Sequence, residues 1–198
     1  LQTTRAELDR LTGGAVHQGV ALQLPSYQYV HPDDLMADAL HSDVQGLVVA
    51  LDGITDPHNL GAIIRSAAAF GAHGVIIPER RSASVTAVAW KASAGALARI
   101  PVARAVNLNR TLQDYTKAGF TVVGLAGEGE TDIAGVPGVD GPVLLVIGSE
   151  GEGLARLTRE RCDLLARIPI SSEVESLNAS VAAAIALYEI ARCRGDLD

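Results

Sequence analysis

Leu47-Val48-Val49-Ala50-Leu51-Asp52-Gly53-Ile54-Thr55-Asp56-Pro57-His58-Asn59-Leu60-Gly61-Ala62-Ile63-Ile64-Arg65 reads as one complete strand, turn and helix. Its first five residues form an unbroken apolar run, the pattern of a strand buried on both faces. Asp56 followed by Pro57 is an N-cap and first-turn pair, and the helix it starts runs to about residue 70. The alternation continues downstream. Strands are expected over 74–77, 100–102, 120–125, 143–147 and 164–170. Helices are expected over 85–97, 108–118, 155–161 and 177–193. In the last helix, Leu177, Val181, Ile185, Tyr188 and Ala191 fall on one stripe, the face expected to be buried. Upstream, Pro32-Asp33-Asp34 opens a helix ending near residue 40. The class is therefore α/β, with a mainly parallel sheet flanked by helices.

Residues 1–30 fit this pattern poorly. A short polar helix over 4–11 runs into Gly13-Gly14, and a strand-like run over 17–24 stops at Pro25. A lone strand wants a partner sheet. The segment reads as the tail of a missing N-terminal domain plus a linker, with a second unit over 31–198.

The 198 residues are 48% hydrophobic and 20% charged, enough apolar surface for a core, which excludes a disordered or collagen-like chain. No run approaches the roughly 18 apolar residues of a membrane span. Cys162 and Cys193 are far apart, no CxxC pair exists, and the five His show no metal spacing. Two reduced thiols in a cytoplasmic protein without a metal are expected.

Net charge is −7, which argues against a simple nucleic-acid binder. The distribution is uneven: residues 1–60 carry eight acids against two bases, and the remainder carries 14 bases against 15 acids. Fourteen of the 16 bases are Arg, and guanidinium forks suit phosphate. An Arg-favouring genome composition explains the bias equally well. Arg80, Arg81, Lys91, Arg99 and Arg104 mark either a phosphate track or a solvated face.

Glycine-rich turns follow two strands, at 124–129 and 148–153. Parallel sheets bind ligands at such places. Neither turn matches a dinucleotide fingerprint, and neither Lys lies in a phosphate-loop setting. Glu128, Glu150 and Glu152 inside these turns, and Glu130 just after the first, would repel a phosphate chain. They suit a ligand with positive charge, or one held by adenine and ribose edges.

Three blocks sharpen the reading: residues 51–67, with Asp56-Pro57-His58-Asn59-Leu60-Gly61-Ala62 running on to Arg65; residues 145–154, with Gly148-Ser149-Glu150-Gly151-Glu152-Gly153; and Ile168-Pro169-Ile170 followed by Glu175-Ser176-Leu177-Asn178-Ala179-Ser180-Val181-Ala182. In this order they resemble the motifs of the SpoU branch of knotted RNA 2′-O-ribose methyltransferases. Within the branch they are most similar to the bacterial 23S rRNA guanosine-2′-O-methyltransferases. His17-Gln18-Gly19-Val20 is similar to the end of that group's N-terminal RNA-binding domain.

The resemblance implies a C-terminal trefoil knot, S-adenosylmethionine as methyl donor, RNA as substrate and a homodimer packed through the last helix. It implies catalytic roles for Asn59, Arg65, Glu150, Ser176 and Asn178. It places the donor against Ala126, Gly127, Ile147, Gly148, Gly151, Ile168, Ile170 and Leu177, largely through backbone groups. Each catalytic position also has a plain structural reading. Asn59 could cap a helix, but Asp56 already does so. Arg65 could lie on a wet helix face, Glu150 could cap the 155–161 helix, and Ser176 could cap the last one. A tRNA or antibiotic-resistance rRNA 2′-O-methyltransferase remains an alternative, and a non-catalytic RNA-binding or assembly protein is one of a different class.

Overall fold

A computed structural model describes residues 2–14, 16–23, 25–171 and 176–197. In chain order the elements are α1 (Arg5–Leu11), α2 (Pro32–Leu40), β1 (Leu47–Leu51), α3 (Pro57–Ala69), β2 (Gly74–Pro78), α4 (Ala87–Ala92), β3 (Val102–Ala105), α5 (Leu108–Lys117), β4 (Thr121–Leu125), β5 (Thr131–Asp132), β6 (Val143–Ile147), α6 (Arg156–Arg159), β7 (Leu164–Arg167) and α7 (Ala179–Arg194). The strands form one parallel sheet in the order β3-β2-β1-β6-β4-β7-β5. β1, β2 and β3 step outward in one direction. β6 then inserts between β1 and β4, pairing Leu51 with Ile147 on one side and Leu125 with Ile147 on the other. This reversal is a topological switch point, and ligands bind beyond the strand ends there.

Alternate residues of the central strands feed two separate cores, as the pleat requires. Val49, Leu145 and Ile147 pack with Ile63 and Ile64 of α3 and Leu187 and Ile190 of α7. Val48, Leu144 and Val146 pack on the other face with Leu35 of α2 and Leu112 and Tyr115 of α5. Both faces of β1 and β6 are fully buried, which explains their uninterrupted apolar runs. Asp56 caps α3 by accepting from His58 N at 2.9 Å, and Pro57 takes the first turn.

Several sequence expectations shift. Among the described residues of 17–24 no strand forms: Gln18 and Gly19 make a turn, and Val16, Val20 and Leu22 are exposed. Leu24, within that stretch, lies outside the described residues, as does Glu175 of the third block. The helix expected over 85–97 breaks into α4 and a single 3-10 turn, because Ala94 and Gly95 both take positive φ. β3 lies two residues later than expected, β7 ends at Arg167, and α6 is a short Arg156–Arg159 turn. The two-residue β5 is too short to leave a pattern.

In α7 the stripe expected to be buried faces outward in part. Val181 and Tyr188 are 47% and 43% exposed, while Ala183, Ala186, Leu187 and Ile190 are buried. Small alanines let α7 approach α3 and the sheet closely, so the larger side chains are left on the outer face. Residues 27–30 run beside the edge strand. Val30 N donates to Val102 O at 3.1 Å and Arg104 N to Val30 O at 3.2 Å, and Tyr27 Oη accepts from Val102 N at 3.0 Å.

Candidate active site

A cleft of about 400 Å³ opens beyond the C-terminal ends of β4, β6 and β7. Its floor is Leu125, Ala126 and Ile147, the last residues of two paired strands and the one that follows. Ala126 N donates to Ala166 O at 2.9 Å, and Gly129 N closes a tight turn onto Ala126 O at 3.0 Å. Ile168, Ile170 and Leu177 supply apolar walls. The turn after β6 folds back on itself: Ser149 N donates to Gly153 O and Gly153 N to Ser149 O, both at 3.0 Å. Gly151 and Gly153 hold positive φ there. A Cβ at Gly148 would lie 2.2 Å from Gly153 C, so only glycine permits this crossing.

That turn presents Glu150. Its Oε1 accepts from Asn59 Nδ2 at 3.0 Å, from Asn178 Nδ2, and from Ala179 N at 3.3 Å. Asn178 Nδ2 also donates to Asn59 Oδ1 at 3.1 Å. Donors from the first and third blocks therefore meet on one carboxylate oxygen of the second, at the N-terminus of α7, where the helix dipole favours negative charge. Asn178 caps α7 through Oδ1, accepting from Ser180 N at 2.9 Å and Val181 N at 3.3 Å. The helix-capping alternatives fall elsewhere. Asn178, not Ser176, caps α7, and the amide of Ala155 before α6 donates to Asp52 Oδ2 at 2.8 Å rather than to Glu150.

All eight residues expected to hold a donor line the cleft: Ala126, Gly127, Ile147, Gly148, Gly151, Ile168, Ile170 and Leu177. Glu150 and Ser176 line it too. The resemblance implies that Glu150 holds Arg65 in position, but Arg65 is exposed midway along α3 and makes no ion pair or hydrogen bond among the described residues, so Glu150 does not hold it in this structure. Sequence reasoning missed Arg159, which lines the cleft and forms an ion pair across it with Glu128. It lies in a four-residue helix with no motif to flag it. It also missed Asp52, although that residue directly follows β1 in the first block. Among the described residues no group of three or more His, Cys, Asp or Glu gathers to hold a metal ion.

Volume, apolar walls and convergent backbone groups suit a nucleoside-sized ligand. Acids at Glu128, Glu150 and Glu152 favour a cationic centre on it.

Comparison with known proteins gives the same address. Residues 46–188 match the model of the SpoU rRNA Methylase family, and residues 2–30 match that for RNA 2′-O ribose methyltransferase substrate binding. A curated relative from Mycobacterium sp. (strain KMS), called an uncharacterized tRNA/rRNA methyltransferase, is 59% identical over 194 residues, which is 98% of this chain and 62% of the relative. The chain thus spans less than two thirds of the length of the curated relatives it matches. Among solved structures, it is similar to the SpoU methyltransferase AviRb from Streptomyces viridochromogenes in complex with AdoMet. That match has a TM-score of 0.71 and 34% identity, over 81% of this chain and 62% of that one. An AdoMet-bound rRNA methyltransferase from Sinorhizobium meliloti gives a TM-score of 0.73 and 33% identity, over 83% and 61%.

Proposed function

The chain belongs to the SpoU rRNA methylase family, and from that premise we propose that it methylates a ribose 2′-OH in RNA, most specifically a guanosine of 23S rRNA. The observation that carries the reading is the shared carboxylate: Glu150 gathers Asn59 and Asn178 at the mouth of a donor-sized cleft. When bound, S-adenosylmethionine supplies an electrophilic methyl on a sulfonium. The cleft's residues fit such a group, with backbone of Ala126, Gly127 and Gly148 for adenine and ribose edges and Ile147, Ile168, Ile170 and Leu177 for its faces.

The remaining chemistry belongs to the protein. Glu150 fixes the amides of Asn59 and Asn178, so their orientation does not have to be found during reaction. Arg65 carries a planar guanidinium, which offers five N–H donors and no acceptor site for a proton. Its role is to grip a phosphate or the developing 2′-alkoxide rather than to act as a base. Ser176, exposed on the cleft rim, is placed to hydrogen-bond the ribose.

Residues 1–30 are read as the tail of an RNA-binding domain and a linker, residues 31–198 as the catalytic domain with its C-terminal knot. The outer face of α7 is read as the homodimer contact. Tyr188 stacks edge-on against Phe70 at 5.9 Å and stays 43% exposed there. Among the described residues no helix is long and apolar enough to cross a membrane, and RNA as substrate points to the cytoplasm.

The test is transfer of labelled methyl to unmodified large-subunit rRNA and to tRNA, with the modified nucleotide mapped. The expected result is one 2′-O-methylguanosine in 23S rRNA, lost in Arg65→Ala. Labelling of tRNA alone would move the target and keep the chemistry. Binding of S-adenosylhomocysteine with no RNA labelled would favour a non-catalytic RNA-binding protein.

A further inference from the structure

Positive charge is concentrated in one part of the sheet. Residues 57–113 hold seven bases and a single acid, Glu79, in a chain of net charge −7. Of these seven, Arg110 is neutralised by Asp114, and elsewhere Lys117, Arg156, Arg159, Arg167 and Arg192 each pair with a carboxylate. Arg80 and Arg81 are exposed, and neither makes an ion pair or hydrogen bond among the described residues.

The turn that carries them is held rigidly. Arg81 has φ +57°, a left-handed conformation that costs a non-glycine residue about 1 kcal/mol. Strain of this kind persists only where surroundings over-determine it. Here Ser82 Oγ donates to Pro78 O at 2.6 Å, and Ala83 N donates to Ile54 O at 2.7 Å. The second bond ties the turn to the segment after β1, whose Gly53 faces Ser149 of the Glu150 turn.

Arg104, opposite Ile77 in register, completes the group. Its guanidinium carbon lies 3.8 Å from the centroid of the Tyr29 ring, and Nη2 donates to Ser84 Oγ at 3.4 Å. Tyr29 Oη in turn accepts from Val85 N at 2.9 Å. The segment before α2 therefore forms a floor under Arg104 and fixes it to the loop that bears Arg80 and Arg81. Arg104 Nε is buried and has no hydrogen-bond partner among the described residues. Arg99, three residues before β3, belongs to the opposite edge of the sheet and is not part of this group.

We propose that Arg80, Arg81 and Arg104 form a docking shelf for the phosphodiester backbone of single-stranded RNA beside the target nucleotide. This rests on the RNA reading of the cleft. β2 lies two strands from β6, about 10 Å across the sheet, so the shelf and the Glu150 turn share one edge. Guanidinium forks match phosphate oxygens two at a time. An unpaired strand is required because the reacting ribose must reach into a cleft, which a duplex does not allow.

The experiment measures anisotropy of a fluorescent single-stranded oligoribonucleotide against this chain across a salt series. Wild type is compared with Arg80→Ala/Arg81→Ala/Arg104→Ala and with Arg110→Ala/Lys117→Ala/Arg156→Ala, which makes the same charge change on paired cations. Each phosphate contact to a single strand contributes about 0.7 to the slope of log K against log salt. The shelf variant is expected to lose about 2 from that slope and at least tenfold in low-salt affinity, with the control within twofold of wild type. Arg80→Ala/Arg81→Ala, which leaves the Tyr29 contact intact, is expected to lose about 1.4. Equal losses in shelf and control variants would overturn the shelf. Wild type that binds S-adenosylhomocysteine but shows no salt-dependent RNA binding would overturn the RNA reading, and the shelf with it.

Discussion

Gly148→Ala tests the coupling of backbone geometry to the site. The added Cβ would sit 2.2 Å from Gly153 C, 2.4 Å from Gly153 O and 2.5 Å from Leu154 N, against an ordinary contact of 3.4 Å or more. All three atoms are backbone, so no side chain can swing aside. The turn must open by about 1 Å to reach contact distance. Overpacking of this kind costs about 1–3 kcal/mol. Opening also breaks the two Ser149–Gly153 backbone bonds, worth about 1 kcal/mol each. The total is about 3–5 kcal/mol, or a fall of roughly 6–20 °C in Tm for a domain this size.

Function should suffer as well, because Glu150 rides on the same turn. A misplacement of about 1 Å can cost roughly 100-fold in rate. The comparison is Gly127→Ala, where a Cβ meets nothing within 4 Å. That variant should keep its Tm and lose affinity for S-adenosylhomocysteine, since its methyl enters the cleft. Scanning calorimetry and titration calorimetry read both quantities. A Gly148→Ala protein within about 2 °C of wild type, with unchanged affinity, would refute the reasoning.

Glu150→Ala should abolish methyl transfer by at least about 100-fold while lowering stability by only about 1 kcal/mol, because water can reach the freed amides. Glu150→Gln, which keeps an acceptor oxygen, should recover the stability and only part of the rate. Burial pushes the Cys162 thiol up to about 12, while Cys193 is exposed. A thiol reagent at about pH 8 should therefore titrate one cysteine in the folded chain and two in denaturant. Since the folded thiol titrates above its unfolded value of 9.0, its contribution is complete below that pH and lost as pH rises towards 12; Cys162→Ser should flatten part of the alkaline fall in Tm. Burial lowers the pKa of His73, whose Nδ1 accepts from Leu47 N at 3.2 Å. Its contribution is present above the ordinary histidine range and lost as pH falls through it. Tm should drop from about pH 7 to about pH 5, less steeply in His73→Gln.

Elements whose burial shows in local pattern were legible before the structure. β1, β6 and α2 fall where the apolar runs and Pro-Asp-Asp start put them, and α3 begins at its Asp-Pro cap. Elements set by distant contacts were not. The sheet order cannot be read from strands that all look alike, and nothing local shows β6 passing between β1 and β4. The break at Ala94 is invisible in an alanine-rich stretch because alanine favours helix on either side. The α7 stripe misled because hydrophobic size was taken for burial, whereas close packing against α3 selects alanine.

The candidate site was legible through its blocks, not through geometry. Asn59, Glu150 and Asn178 are separated by up to 119 positions, yet their side chains share hydrogen bonds. No spacing rule links residues that far apart, so only the motif resemblance named them. The Glu128–Arg159 pair lay beyond it, because neither residue belongs to a block.

The central claim is the position of the transferred methyl. RNA incubated with this chain and labelled S-adenosylmethionine would be digested to nucleosides, with a second portion hydrolysed in alkali. The account predicts a 2′-O-methyl nucleoside and an alkali-resistant dinucleotide, since a blocked 2′-oxygen cannot attack its own phosphate. Label on a base, with every linkage cleaved by alkali, would contradict it.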